Sequence, residues 1–145
     1  MRLPALTIEA ARYLLAPVGE WAVFALLEDG RLSHAWDLSL GPSRREIRIL
    51  PASVARYLAQ RQGRAAPPVT DAEALAALLP DGQRPELLPV GWIWRALNLS
   101  EAQPLALARA GELTFEIGTI IRRGNCIHRV TTESFCRFLA RRRVS

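Results

Sequence analysis

The chain has 145 residues, half of them hydrophobic, and sets 19 arginines, with no lysine, against 14 acids for a net charge of +5. This composition fits one ordinary domain or two very small ones, and excludes a disordered chain, which needs less apolar content and more net charge. The longest apolar run, Trp21–Leu27, is far below the roughly 18–20 residues that cross a bilayer, and no signal-peptide core follows Met1, so the expectation is a cytoplasmic protein without membrane contact.

In chain order, Thr7–Leu15 has a helical pattern, Pro17-Val18-Gly19 breaks it, Glu20–Asp29 is a second helix and Gly30 its stop. Leu32–Leu40 and Glu46–Ile49 read as a hairpin around Gly41-Pro42-Ser43-Arg44. Pro51 takes the favoured first-turn position of a helix bearing Val54, Tyr57 and Leu58. Residues 65–86 carry linker chemistry, Ala65-Ala66-Pro67-Pro68 and Pro80-Asp81-Gly82, around one short helix that Thr70 and Glu73 begin with capping-box spacing. Residues 89–97 then form a helix with Trp92, Ile93, Trp94 and Leu97. Asn98-Leu99 is a tight turn, and Ser100 is the N-cap of a helix that runs through Ala110 and stops at Gly111. Thr114–Ile121 alternates as a strand, Gly124-Asn125 turns, and Cys126–Val130 returns. A last helix, capped at Thr131 or Thr132, puts Phe135, Phe138 and Leu139 on one face.

The elements repeat. A slide of 81 positions aligns Ala25-Leu26 with Ala106-Leu107, Gly30 and Leu32 with Gly111 and Leu113, and Ser53 with Ser134, without a gap from Ala25 to Ala59. The organisation expected is a first unit at 1–64, a linker with a short helix at 65–86, and a second unit at 87–145. Charge follows nearly the same division: nine arginines against six acids in 1–64, one against three in 65–85, and nine against five in 86–145. Basic units joined by an acidic connector suggest a polyanionic partner.

The second unit's helix, turn, helix, two-stranded wing and closing helix resemble the winged helix-turn-helix of the phage excisionase and MerR-like DNA-binding superfamily. The residues concerned are Leu88-Pro89-Val90, Leu97-Asn98-Leu99-Ser100, Ala110-Gly111-Glu112-Leu113 and His128-Arg129-Val130-Thr131-Thr132-Glu133-Ser134-Phe135. The first unit matches through Leu6-Thr7-Ile8-Glu9-Ala10-Ala11, Asp29-Gly30-Arg31-Leu32 and Arg48-Ile49-Leu50-Pro51. The resemblance implies a mainly α fold with small β-hairpin wings (α+β), a tandem winged helix-turn-helix that binds double-stranded DNA. Its role would be that of a transcriptional regulator or recombination directionality factor of a bacterial mobile element, associated with the nucleoid. It implies that the second helix reads the major groove, which would present Ser100, Glu101, Ala102, Gln103, Ala106 and Arg109, with Arg122 and Arg123 at the second wing and Arg44 and Arg45 at the first. Arg141, Arg142 and Arg143 would add phosphate contacts.

Family members usually place Arg, Ser or Thr where this chain has Glu101, Ala102 and Pro104, so affinity is expected from wings and tail, with strong salt dependence and weak base readout. The first unit's Trp21–Leu27 helix has no cation and looks built for burial, against the other unit, a second copy or a protein partner. A protein-interaction adaptor on this scaffold is the alternative reading. Cys126, His128 and Cys136 lack a fourth ligand, so no metal is expected, nor any cofactor. Trp92 and Trp94 read as packing, whereas Trp36 is open to either packing or base stacking. No phosphate loop or nucleophile–base motif appears, and neither His34 nor His128 has an acidic orienter in sequence, so an enzyme is not expected.

Overall fold

A computed structural model describes residues 3–40, 45–80, 84–122 and 125–145, with backbone alone at 115–122 and 125–128. The described chain is α+β, helix-rich with two small antiparallel sheets. The first unit runs β1 (Leu6–Thr7), α1 (Ile8–Leu14), α2 (Glu20–Glu28), β2 (Ala35–Asp37), β3 (Ile47–Ile49) and α3 (Pro51–Arg61). After the connector helix α4 (Asp71–Leu78), the second runs β4 (Leu87–Pro89), α5 (Val90–Ala96), α6 (Ala102–Arg109), β5 (Phe115–Arg122), β6 (Asn125–Thr131) and α7 (Thr132–Arg142). Sheet orders β1-β3-β2 and β4-β6-β5 are the same in sequence terms, so the two units share one topology.

Local chemistry sets the element ends. Thr7, Thr70 and Thr131 are N-caps whose hydroxyls accept from Ala10, Glu73 and Ser134 N–H groups. Gly30 and Gly111 adopt φ of +73° and +78°, and each helix end is closed by paired bonds, Gly30 N–H to Leu27 O with Arg31 N–H to Leu26 O, and Gly111 N–H to Ala108 O with Glu112 N–H to Leu107 O. Ser100 is not the cap expected of it. Its N–H donates to Gln103 Oε1 at 2.7 Å, half of a capping box, and helix α6 starts after Glu101 without a side-chain cap.

The repeat departs from an ungapped match at one place within Ala25–Ala59 and at another before it. Leu50 N–H donates to His34 O and Thr131 N–H donates to Thr114 O, so His34 corresponds to Thr114 although Leu32 corresponds to Leu113. The first unit therefore carries one extra residue at Ser33-His34, and His34 absorbs it with φ +58°. The α1–α2 loop is also one residue longer, because buried Leu15 and Val23 are spaced eight apart against seven for Leu97 and Pro104. Strands β1 and β4 were not expected; they add a third strand beside β3 and β6, and Leu88 of β4 is fully buried.

One core, built on Ala11, Leu15, Val23, Leu26, Leu32 and Ile49, belongs to the first unit. The larger core centres on Leu88, Ile93, Leu97, Leu107, Phe135 and Phe138, and it also takes in Trp36, Leu38 and Leu50 of the first unit and Ala74, Leu78 and Leu79 of the connector. Residues 65–86 are thus more than a tether. Trp36, 4% exposed, is packing, and half-buried Trp92 donates its Nε1–H to Leu78 O at 2.9 Å. The Trp21–Leu27 helix is not buried as a whole: Val23, Leu26 and Leu27 enter its own unit's core, while Trp21 is 86% exposed.

Candidate nucleic-acid interface

The expected contact residues fall into three groups. At the hairpins, Arg122 is the last residue of β5 and pairs with Asn125, the first of β6. Arg123 and Arg44 lie outside the described residues, as do the Arg122 side chain and those of Cys126 and His128. The described strands of the second hairpin have eight and seven residues and those of the first three each, although the corresponding end pairs, Ala35 with Ile49 and Phe115 with Val130, enclose segments of nearly equal length. Arg45 is exposed, with its guanidinium carbon 5.9 Å from the Phe24 ring centroid.

On helix α6, Glu101, Ala102 and Arg109 are exposed and Ala106 is half-buried. Gln103, the side chain best suited to adenine, is engaged inside the chain: its Oε1 accepts from Ser100 and its Nε2 donates to Glu46 Oε2 at 3.0 Å. Beside it, Arg48 of β3 donates from Nε to Leu97 O and from Nη2 to Asn98 O, both at 3.0 Å, and to Glu46 Oε2 at 3.3 Å. Burial lowers the Arg48 pKa from its ordinary value while the neighbouring Glu46 carboxylate acts to raise it. The foot of the first hairpin therefore clamps the α5–α6 corner of the second unit. Ala5 N–H, donating to Ala96 O at 2.9 Å, secures the same junction.

The three tail arginines do not project as a free basic patch. Arg141 donates to Glu112 Oε2 at 3.2 Å, and Arg142 donates to Glu112 Oε1 at 3.0 Å and to Ser39 O at 2.7 Å. Arg143 donates to Asp71 Oδ1 at 3.0 Å. Residues 143–145 then lie along the open edge of β2, with Val144 N–H donating to Ala35 O, His34 N–H donating to Ser145 O, and an antiparallel bridge between Trp36 and Arg143. Ser145 Oγ lies 2.6 Å from Leu32 O and 3.0 Å from Leu27 O. Sequence reasoning missed this because an arginine run after a helix carries no mark of where its partners lie.

Contrary to expectation, His34 has an acidic orienter. Its buried ring places Nε2 2.8 Å from Asp71 Oδ1 and Nδ1 2.9 Å from Ser33 Oγ. Bonds from His34 and then Arg143 hold the Asp71 carboxyl below the usual carboxylate range. The Ser33–His34–Asp71 order has the composition of a nucleophile relay, but neither cleft described here is lined by Ser33 or His34. One cleft, lined by Thr7, Glu9, Ala10, Tyr13 and Leu14, lies along α1. The other lies between α2 and the first hairpin, with Phe24, Leu27, Glu28, Asp37, Arg45, Ile47 and Val144. Among the described residues, no cluster of three or more His, Cys, Asp or Glu side chains is placed to hold a metal ion, and no helix is long and apolar enough to cross a membrane. No family model, curated protein or solved structure matches the chain.

Proposed function

We propose that the chain is a double-stranded DNA-binding protein built from two winged helix-turn-helix units, with its DNA contacts concentrated on the second. In this reading it works as a transcriptional regulator or recombination directionality factor of a bacterial mobile element and associates with the nucleoid. The observation that carries the reading is the β5–β6 hairpin, in which β5 ends on Arg122, followed in sequence by Arg123, within a unit whose described elements run helix, helix, hairpin, helix. Exposed Arg109 at the end of α6 adds a further cation. Support for base reading is thinner, because Gln103 is engaged and Glu101 opposes phosphate. Affinity then comes from phosphate contacts and falls steeply with salt.

The test is a titration of the full chain against duplex DNA at about 50 and 200 mM salt, repeated with Arg122→Ala/Arg123→Ala. The double variant is expected to bind about tenfold more weakly or worse, with the salt slope shallower by about two. Absence of binding at low salt, or a variant that binds like the parent, overturns the reading.

A further inference from the structure

Helix α2 occupies the place of α6 in the first unit, but its outward face has a different chemistry. Trp21, Phe24 and Glu28 fall at i, i+3 and i+7 on one stripe, where the second unit has Ala102, Leu105 and Arg109. Trp21 is 86% exposed and its ring centroid lies 6.4 Å from that of Phe24. The stripe adjoins the cleft lined by Phe24, Leu27, Ile47 and Val144 together with Glu28, Asp37 and Arg45. Among the described residues no ion pair neutralises Glu28. Over residues 8–29 four acids face one arginine, Arg12, which is already paired with Glu9, and in the cleft itself Glu28 and Asp37 stand with Arg45.

A large exposed tryptophan beside a partly apolar cleft marks a protein contact. The chemistry of the occupant is indicated by the molecule itself. The guanidinium of Arg45, on the neighbouring hairpin, already sits over the Phe24 ring inside the same cleft without an ion pair to Glu28 or Asp37. We infer that the Trp21–Phe24 stripe and the adjoining cleft form a docking site for a partner protein's amphipathic segment, whose apolar residues cover Trp21 and whose arginine or lysine enters the cleft beside Glu28 in place of Arg45. This rests on assigning the DNA contacts to the second unit and leaving the first free for another partner.

The probe is a synthetic Leu–Arg amphipathic peptide of about five helical turns, with a counterpart carrying Glu at every Arg position, each titrated calorimetrically into the full chain. The Leu–Arg peptide is expected to bind and the Leu–Glu peptide not to. Trp21→Ala and Glu28→Arg, both exposed positions that leave the core intact, are each expected to weaken binding about tenfold, and Arg45→Ala to tighten it about threefold by vacating the cleft. Equal binding of both peptides, no binding at all, or parental affinity in the Trp21→Ala and Glu28→Arg chains overturns the inference. So does a self-associated chain that Trp21→Ala dissociates in sedimentation, which assigns the face to a second copy. A parallel DNA titration of the parent separates the two proposals: peptide binding without DNA binding removes the proposed function and leaves the docking site, and the converse removes the docking site alone.

Discussion

The two units share a topology and differ in what they turn outward. Inward positions correspond closely: Val23 with Pro104, Leu26 with Leu107, Leu32 with Leu113 and Ile49 with Val130 are all buried. Ser53 and Ser134 each donate from Oγ to the carbonyl three residues earlier, at 2.9 Å in both units. Outward positions diverge from aromatic and acidic on α2 to small and cationic on α6. Packing restrains the first set because each side chain must fill a fixed space, whereas the second set is shaped by whatever each unit meets.

The asymmetry of the cores gives the largest expected effect. Phe135→Ala in the larger core should cost about 3–5 kcal/mol, and Val54→Ala at the corresponding position should cost about 2 kcal/mol. Denaturant melts would show it, and equal losses would mean that the two cores carry equal weight. Next is the clamp between the units: Arg48→Met keeps the buried stem but loses bonds to Leu97 and Asn98 carbonyls, and should cost about 2 kcal/mol. If the units unfold separately in that variant, tryptophan fluorescence and far-ultraviolet dichroism will give different midpoints.

A smaller change should stabilise the protein. Thr132, opening α7 where Pro51 opens α3, has a buried Oγ1 with no hydrogen-bond partner. Thr132→Val removes that hydroxyl, keeps the N–H that bonds Glu86 O, and should add about 1 kcal/mol in the same melts. The smallest effect is one of pH. Because His34 and Arg143 depress the folded-state pKa of Asp71, its contribution is present above the unfolded carboxylate value of about 3.9 and is lost as pH falls through the lower folded value. Asp71→Asn should therefore flatten the acid limb of stability against pH and leave the neutral plateau slightly lower. An unchanged acid limb would assign acid sensitivity elsewhere, with Asp37 next. Burial raises the pKa of Asp37, but bonds from the Ser39 hydroxyl and from Ser39 and Glu46 N–H groups outweigh it.

What could be read from the residues was what short-range chemistry fixes. Thr70 and Thr131 as caps, Pro51 as a first-turn residue, Gly30 and Gly111 as stops, and Phe135 with Phe138 as core all depend on neighbours within four positions. Strands of two and three residues such as β1 and β4 are too short to show alternation. The extra residue at Ser33-His34 was hidden because the match recovers its register by Arg48. The engaged states of Gln103, Arg142 and Arg143 come from partners 30 to 103 positions away, which no local pattern announces.

The strand-like seating of residues 143–145 on β2 has a consequence for biosynthesis. The amino-terminal unit is translated first, yet the open edge of β2 stays bare until residues 143–145 have emerged from the ribosome. A chain interrupted before residue 143 therefore carries an unsealed strand edge into the crowded cell.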